Sequence, residues 1–92
     1  LNPKYEKAHN NLANCLLALG EVDAAVDLYR QTLRARPDLA EAHHNLGKGL
    51  LLLGRREEAA RQFHRAQQLQ PEDNSIAVNL QLAQEDERFA RD

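Results

Sequence analysis

The side chains that could do chemistry are few: four histidines (His9, His43, His44, His64), one cysteine (Cys15), carboxylate pairs at Asp23/Asp27 and Glu57/Glu58, and the arginines Arg55, Arg56, Arg61 and Arg65. His9 and His43 stand 34 residues apart in matching surroundings, which marks them as equivalent packing positions rather than metal ligands. His43 and His44 are neighbours, and on a helix neighbours diverge by about 100°, so they cannot grip one ion together. No glycine-rich phosphate loop and no Ser/His/Asp or Cys/His arrangement is legible, and Cys15 reads as a small hydrophobe. The paired carboxylates fall on helix surfaces where solvated charge is the better reading. Glu57 precedes Arg61 by one helical turn and is expected to pair with it. Without exposed aromatics between the arginines, base stacking has no platform. The chain is therefore expected to be no enzyme, with no catalytic residue, no metal and no cofactor.

Asparagine is more informative. Asn11, Asn45 and Asn79 recur at one phase, each just before a leucine. Asparagine gives up roughly half a kcal/mol to alanine in a helix, so its repetition asks for a reason. A carboxamide carries both donors and acceptors and can match the N–H and C=O of an extended peptide. It can equally bond to an adjacent helix and tie it down. Both readings stay open at this point.

Those asparagines sit in a sequence that says nearly the same thing twice. Shifted by 34 residues, Ala8/Ala42, His9/His43, Asn11/Asn45, Leu12/Leu46, Leu16/Leu50, Leu17/Leu51, Leu19/Leu53, Gly20/Gly54, Ala25/Ala59 and Pro37/Pro71 coincide, and Tyr29/Phe63 match in kind. A fixed period of this length signals stacked supersecondary units. Each period reads as two helices. Gly20 and Gly54 close the first ones, where a left-handed residue carries no steric penalty. The second ones are predicted over 22–35 and 56–69, stopping ahead of Pro37 and Pro71. Asp38 and Glu41 have the spacing of a capping box, and Asn2 with Pro3 reads as an earlier helix start. A fifth helix is predicted from about 73 to 89. In the first helix His9, Leu12, Ala13, Leu16 and Leu19 are expected to form the packed stripe. Small residues (Ala13, Gly47, Ala25, Ala59) allow close approach, and Tyr29 and Phe63 fill the space between pairs.

The expected fold class is all-α, an α-solenoid of antiparallel helix pairs forming one domain over 1–92. Its units are a first repeat at about 6–39, a second at about 40–73, a capping helix at about 74–90, and a tail of a preceding repeat at 1–3. Gln81 and Gln84 stand where Gly47 and Leu50 stood, which reads as a solvent-facing end. The start has no such polar face, so a further repeat upstream is expected. Its exposed apolar residues, Tyr5 and Leu12 among them, could instead support self-association. A net charge of -2 with both signs interspersed favours neither nucleic acid nor an anionic membrane as partner. The single cysteine cannot form an internal disulfide, which fits a reducing compartment such as the cytoplasm without fixing localisation.

The pattern resembles the tetratricopeptide repeat: period 34, Leu12-Ala13 and Leu46-Gly47, a glycine before each turn, Ala25/Ala59, Tyr29/Phe63 and the terminal prolines. His9 and His43 depart from it where the family often has a bulky apolar residue, and Thr32 departs where alanine is usual. The resemblance implies that the first helices line a concave surface. The face opposite the packed stripe then carries Asn10, Asn11, Asn14 and Leu17, followed by His44, Asn45, Lys48, Leu51 and Leu52, with Asn79 in the third helix. Chaperone adaptors of the family grip a terminal carboxylate with lysines and arginines. Here Asn14 and Asn45 match that clamp, but Asn10, Ser75 and Asn79 replace its cations, so no carboxylate clamp is expected. The asparagine series is more similar to the superhelical arm of O-linked N-acetylglucosamine transferase, where such a ladder holds peptide backbones. The implied function is a non-catalytic scaffold binding an extended peptide or helix in the groove. The alternative is a structural spacer or self-association segment of a larger protein, or a targeting arm of an enzyme.

Overall fold

The computed structural model describes residues 6–71, which form four helices: α1 (Glu6–Ala18), α2 (Val22–Ala35), α3 (Ala40–Leu52) and α4 (Arg56–Leu69). The bounds of α2 and α4 coincide with the expected ones. The fifth helix, the Asn2/Pro3 start and Tyr5 lie outside the described residues. Each helix packs on the next in order, and α1 also reaches α3, which is the layout of two helical hairpins laid side by side.

The two hairpin turns are built alike. Gly20 N–H donates to Leu17 O at 3.1 Å and Glu21 N–H to Leu16 O at 2.8 Å; Gly54 N–H donates to Leu51 O and Arg55 N–H to Leu50 O, both at 2.9 Å. This pair of bonds is the Schellman closure, and it needs a left-handed residue. Gly20 (φ 84°) and Gly54 (φ 78°) supply it.

Between the helices lies a core of Ala13, Ala25, Val26, Tyr29, Ala42, Leu46, Leu50, Ala59 and Phe63. Its tightest place is Gly47, where an added Cβ would come within 2.6 Å of the Phe63 ring. A second close approach joins the hairpins: a Cβ on Gly49 would meet Val26 Cγ2 at 3.0 Å. Thr32 is fully buried, and its hydroxyl donates to Leu28 O at 2.9 Å, so it replaces alanine with no orphaned polar atom. His43 is bonded through both ring nitrogens, Nδ1 to Gln62 Oε1 and Nε2 to Pro37 O, each at 2.8 Å.

Three expectations need correction. The capping box does not form: Leu39 occupies the cap position of α3 with no side-chain bond, and Asp38 instead accepts from Arg36 Nε at 2.9 Å. That guanidinium holds the Asp38 carboxyl below the usual carboxylate range. The Glu57–Arg61 pair is not formed; Glu58 is paired with Arg30 of α2 at 2.9 Å. Arg30 thereby bridges the second helices of successive hairpins and lowers the Glu58 pKa, chiefly through the hydrogen bond. The supposed single stripe of α1 is two faces. Ala13 is buried, His9 and Leu16 are half-buried, but Leu12 and Leu19 are exposed.

Candidate peptide-binding groove

α1 and α3 lie side by side, and the face that neither α2 nor α4 covers forms an open groove of about 650 Å³. Asn14, Leu17 and Ala18 line it from α1; Glu41, Asn45, Lys48, Leu51 and Leu52 line it from α3. The lining residues come from matching places in two helices because the 34-residue period preserves helical phase: Leu17 and Leu51 are equivalent, as are Ala18 and Leu52, and Asn14 and Lys48. The leucines form an apolar floor, with Leu52 67% exposed. Glu41 and Lys48 put one charge of each sign at its edge.

Two of its lining residues, Asn14 and Asn45, belong to a bonded set of three side chains. Tyr29 O–H donates to Asn14 Oδ1, and Asn45 Nδ2 donates to the same oxygen at 3.0 Å. Tyr29 is fully buried. Desolvation, then the charges of Glu41 and Cys15, push its hydroxyl pKa up to about 12, so it is a neutral donor at physiological pH. With two donors converging on Asn14 Oδ1, the orientation of that amide is determined, and its Nδ2 points elsewhere. Asn14 Nδ2 and Asn45 Oδ1 have no protein partner among the described residues. The groove thus offers one amide donor and one amide acceptor, each held by a neighbour.

Six of the expected site residues come together here: Asn14, Asn45, Lys48, Leu17, Leu51 and Leu52. Asn11 is exposed but does not line the groove, and Asn45 bonds across to Asn14, one turn further along α1, rather than to its own counterpart. Asn10, expected on the open face, is buried, with its Oδ1 unpartnered. His44, the equivalent of Asn10, is half-buried and tilts against the Phe63 ring at 5.7 Å. Asn79 lies outside the described residues. Sequence reasoning missed Tyr29 as an orienting group for Asn14. The signal was available in the exchange of Tyr29 for Phe63 between the two copies, since only the first carries a hydroxyl.

Among the described residues no group of three or more His, Cys, Asp or Glu side chains is arranged to hold a metal ion. No helix among them is long and apolar enough to cross a membrane.

Comparisons with known proteins agree with this architecture. The tetratricopeptide-repeat family profile matches residues 4–72. The chain superposes on the C-terminal TPR-containing domain of a Plasmodium falciparum protein described as FK506-binding, with a TM-score of 0.86 and 24% identity. The match covers 94% of this chain and 57% of that one, so the present chain spans little more than half of that domain. A search of curated proteins returned no match.

Proposed function

Because the chain belongs to the tetratricopeptide-repeat family, whose members are generally protein-interaction scaffolds, we propose that it binds an extended peptide across the α1–α3 groove. The observation that carries this reading is the oriented amide pair. Asn14 Nδ2 is left to donate to a peptide C=O, and Asn45 Oδ1 to accept from a peptide N–H. The two repeats, about 6–39 and 40–73, contribute one amide each, so recognition of the backbone is shared between them.

Backbone bonds alone are too weak. Each nets about 0.5–1.5 kcal/mol, well short of the roughly 4–15 kcal/mol lost on association. The apolar floor supplies more: covering a largely exposed leucine is worth about 1–2 kcal/mol, and Leu52 stands ready for an apolar ligand side chain. Glu41 and Lys48 then select by charge, favouring a ligand with a basic group near the start of α3 and an acidic group two turns on. The bond between Asn45 and Asn14 makes the ladder and the inter-helix tie one device, since the contact that joins α1 to α3 also aims the free polar atoms outward.

Selection from a phage-displayed peptide library tests this. Peptides retained by the native chain are expected to lose at least tenfold in affinity on Asn14→Ala with Asn45→Ala, with far-UV circular dichroism unchanged. Unchanged affinity would remove the amide pair from recognition. Loss of helical signal would show that the two amides serve only to hold the helices together.

A further inference from the structure

A second, open cleft of about 310 Å³ lies where α2, α3 and α4 meet. Arg30, Leu33 and Arg34 line it from α2, His43 and Leu46 from α3, and Gln62 from α4. His43 is about 200° of helical rotation from both Glu41 and Asn45, so this cleft opens on the side of α3 away from the groove. Its walls all belong to the two described hairpins, which places it within the stack.

The chemistry of the cleft is one-sided. No carboxylate lines it. Its one side-chain amide acceptor, Gln62 Oε1, is engaged by His43 Nδ1 at 2.8 Å, and His43 Nε2 is engaged by Pro37 O. Gln62 Nε2 is thereby left as a donor. Arg30 gives Nη2 to Glu58 at 2.9 Å and keeps Nη1 and Nε. Arg34 is exposed and makes no hydrogen bond or ion pair among the described residues. Glu58 offsets one guanidinium charge, and the charge of Arg34 stays unmatched. The repeat itself does not call for these residues, since Arg30, Leu33 and Arg34 become His64, Gln67 and Gln68 one period later.

We propose that this rear cleft binds an acidic peptide segment of a protein partner, one with two carboxylates two residues apart. Arg30 and Arg34 are separated by about 6 Å along the α2 axis. Alternate side chains of an extended chain repeat on one face at about 6.6 Å, which is nearly the same distance. One carboxylate then takes the open fork of Arg34, where two parallel bonds can form, and the next takes the free nitrogens of Arg30. Gln62 Nε2 is a further donor for a peptide C=O, and Leu33 offers an apolar contact for the methylenes of a glutamate. A lone phosphate ion is the poorer match, because it can neither span both arginines nor cover Leu33.

Nuclear magnetic resonance titration of the isotope-labelled 92-residue chain with the end-blocked peptide acetyl-Ala-Glu-Ala-Glu-Ala-amide tests this. At low salt the Arg34 Nε–H and Gln62 side-chain amide signals should shift with Kd on the order of 1 mM, while those of Asn14 and Asn45 stay in place. The matched peptide with Gln for each Glu should bind roughly fivefold more weakly or worse. Arg34→Gln, at an exposed site, should produce the same loss with helical circular dichroism retained, and added salt should weaken the native complex. Absence of shifts, or equal binding of the Gln peptide, would overturn the proposal. Shifts confined to Asn14 and Asn45 would put the peptide in the groove and overturn it too, and inorganic phosphate binding as tightly as the peptide would replace the acidic segment with a simple anion.

Discussion

Leu12 and Leu46 are the same residue at the same phase of two copies of one helix, and they meet opposite fates. Leu46 is 2% exposed and Leu12 is 53% exposed. The difference lies in the neighbours: α3 packs closely on both α2 and α4, whereas α1 packs closely on α2 and only touches α3 among the described helices. Position in the stack, not residue type, decides whether a leucine of the repeat is structural. The interiors differ as well: Phe63 lies against Gly47, and the first copy has Tyr29 and Ala13 at these two positions, so the aromatic ring without a hydroxyl sits where the facing helix lacks even a methyl.

The sharpest way to break this comparison is to truncate both leucines. Leu46→Ala should cost about 3 kcal/mol, as for a fully packed leucine, while Leu12→Ala should stay within about 0.5 kcal/mol, both read by urea denaturation at low micromolar concentration. Equal losses would mean that α1 is covered after all. Next in size is Gly47→Ala. Helix propensity alone would gain about 1 kcal/mol, but the new methyl would press on the Phe63 ring, and over-packing costs about 1–3 kcal/mol. The expected net result is destabilisation of about 1 kcal/mol, relieved when Phe63→Leu is added; stabilisation would show that the ring has room to retreat.

Tyr29→Phe makes the first hairpin resemble the second and should cost about 1 kcal/mol at neutral pH through the lost bond to Asn14. Its signature is in the pH dependence. The folded hydroxyl keeps its proton to about pH 12, while an unfolded tyrosine releases it near 10. The unfolded state therefore binds fewer protons in that window, and native stability, complete below pH 10, falls as pH rises toward 12. Tyr29→Phe should lack this component, and ultraviolet titration of the native chain should show one of its two tyrosines ionising late. The smallest effect sharpens the likeness rather than the difference. Gly20→Ala and Gly54→Ala meet no atom within 4 Å, so both should cost the same, about 1 kcal/mol, from backbone strain alone.

Much of the architecture was legible because helical phase and turn chemistry are local. The 34-residue period, the glycines and the prolines bounded α2 and α4 to the residue, and the open face could be read by rotating α1 and α3. What escaped depends on pairs of helices. Periodicity could not separate the inner and outer packed faces of α1, since Leu12, Ala13, Leu16 and Leu19 all read as apolar. Asn10 was assigned to the groove by its helical phase, yet it is buried. The bond from Asn45 to Asn14 offsets the ladder by one turn, an offset that depends on how two helices meet and not on either helix's own phase. Asp38 had the right spacing for a cap, but Arg36 two residues earlier offered a charged partner.

The polar links of this stack lie on opposite sides. Asn45 and Asn14 join α3 to α1 at the groove, and Arg30 and Glu58 join α2 to α4 behind it. A change of curvature that stretched one link would relax the other, so the two are placed to act as paired stays. The rear stay is a half-buried ion pair, which added salt weakens in part, whereas the front one is an uncharged bond that salt leaves alone. Ionic strength should therefore soften the array in one sense of bending only.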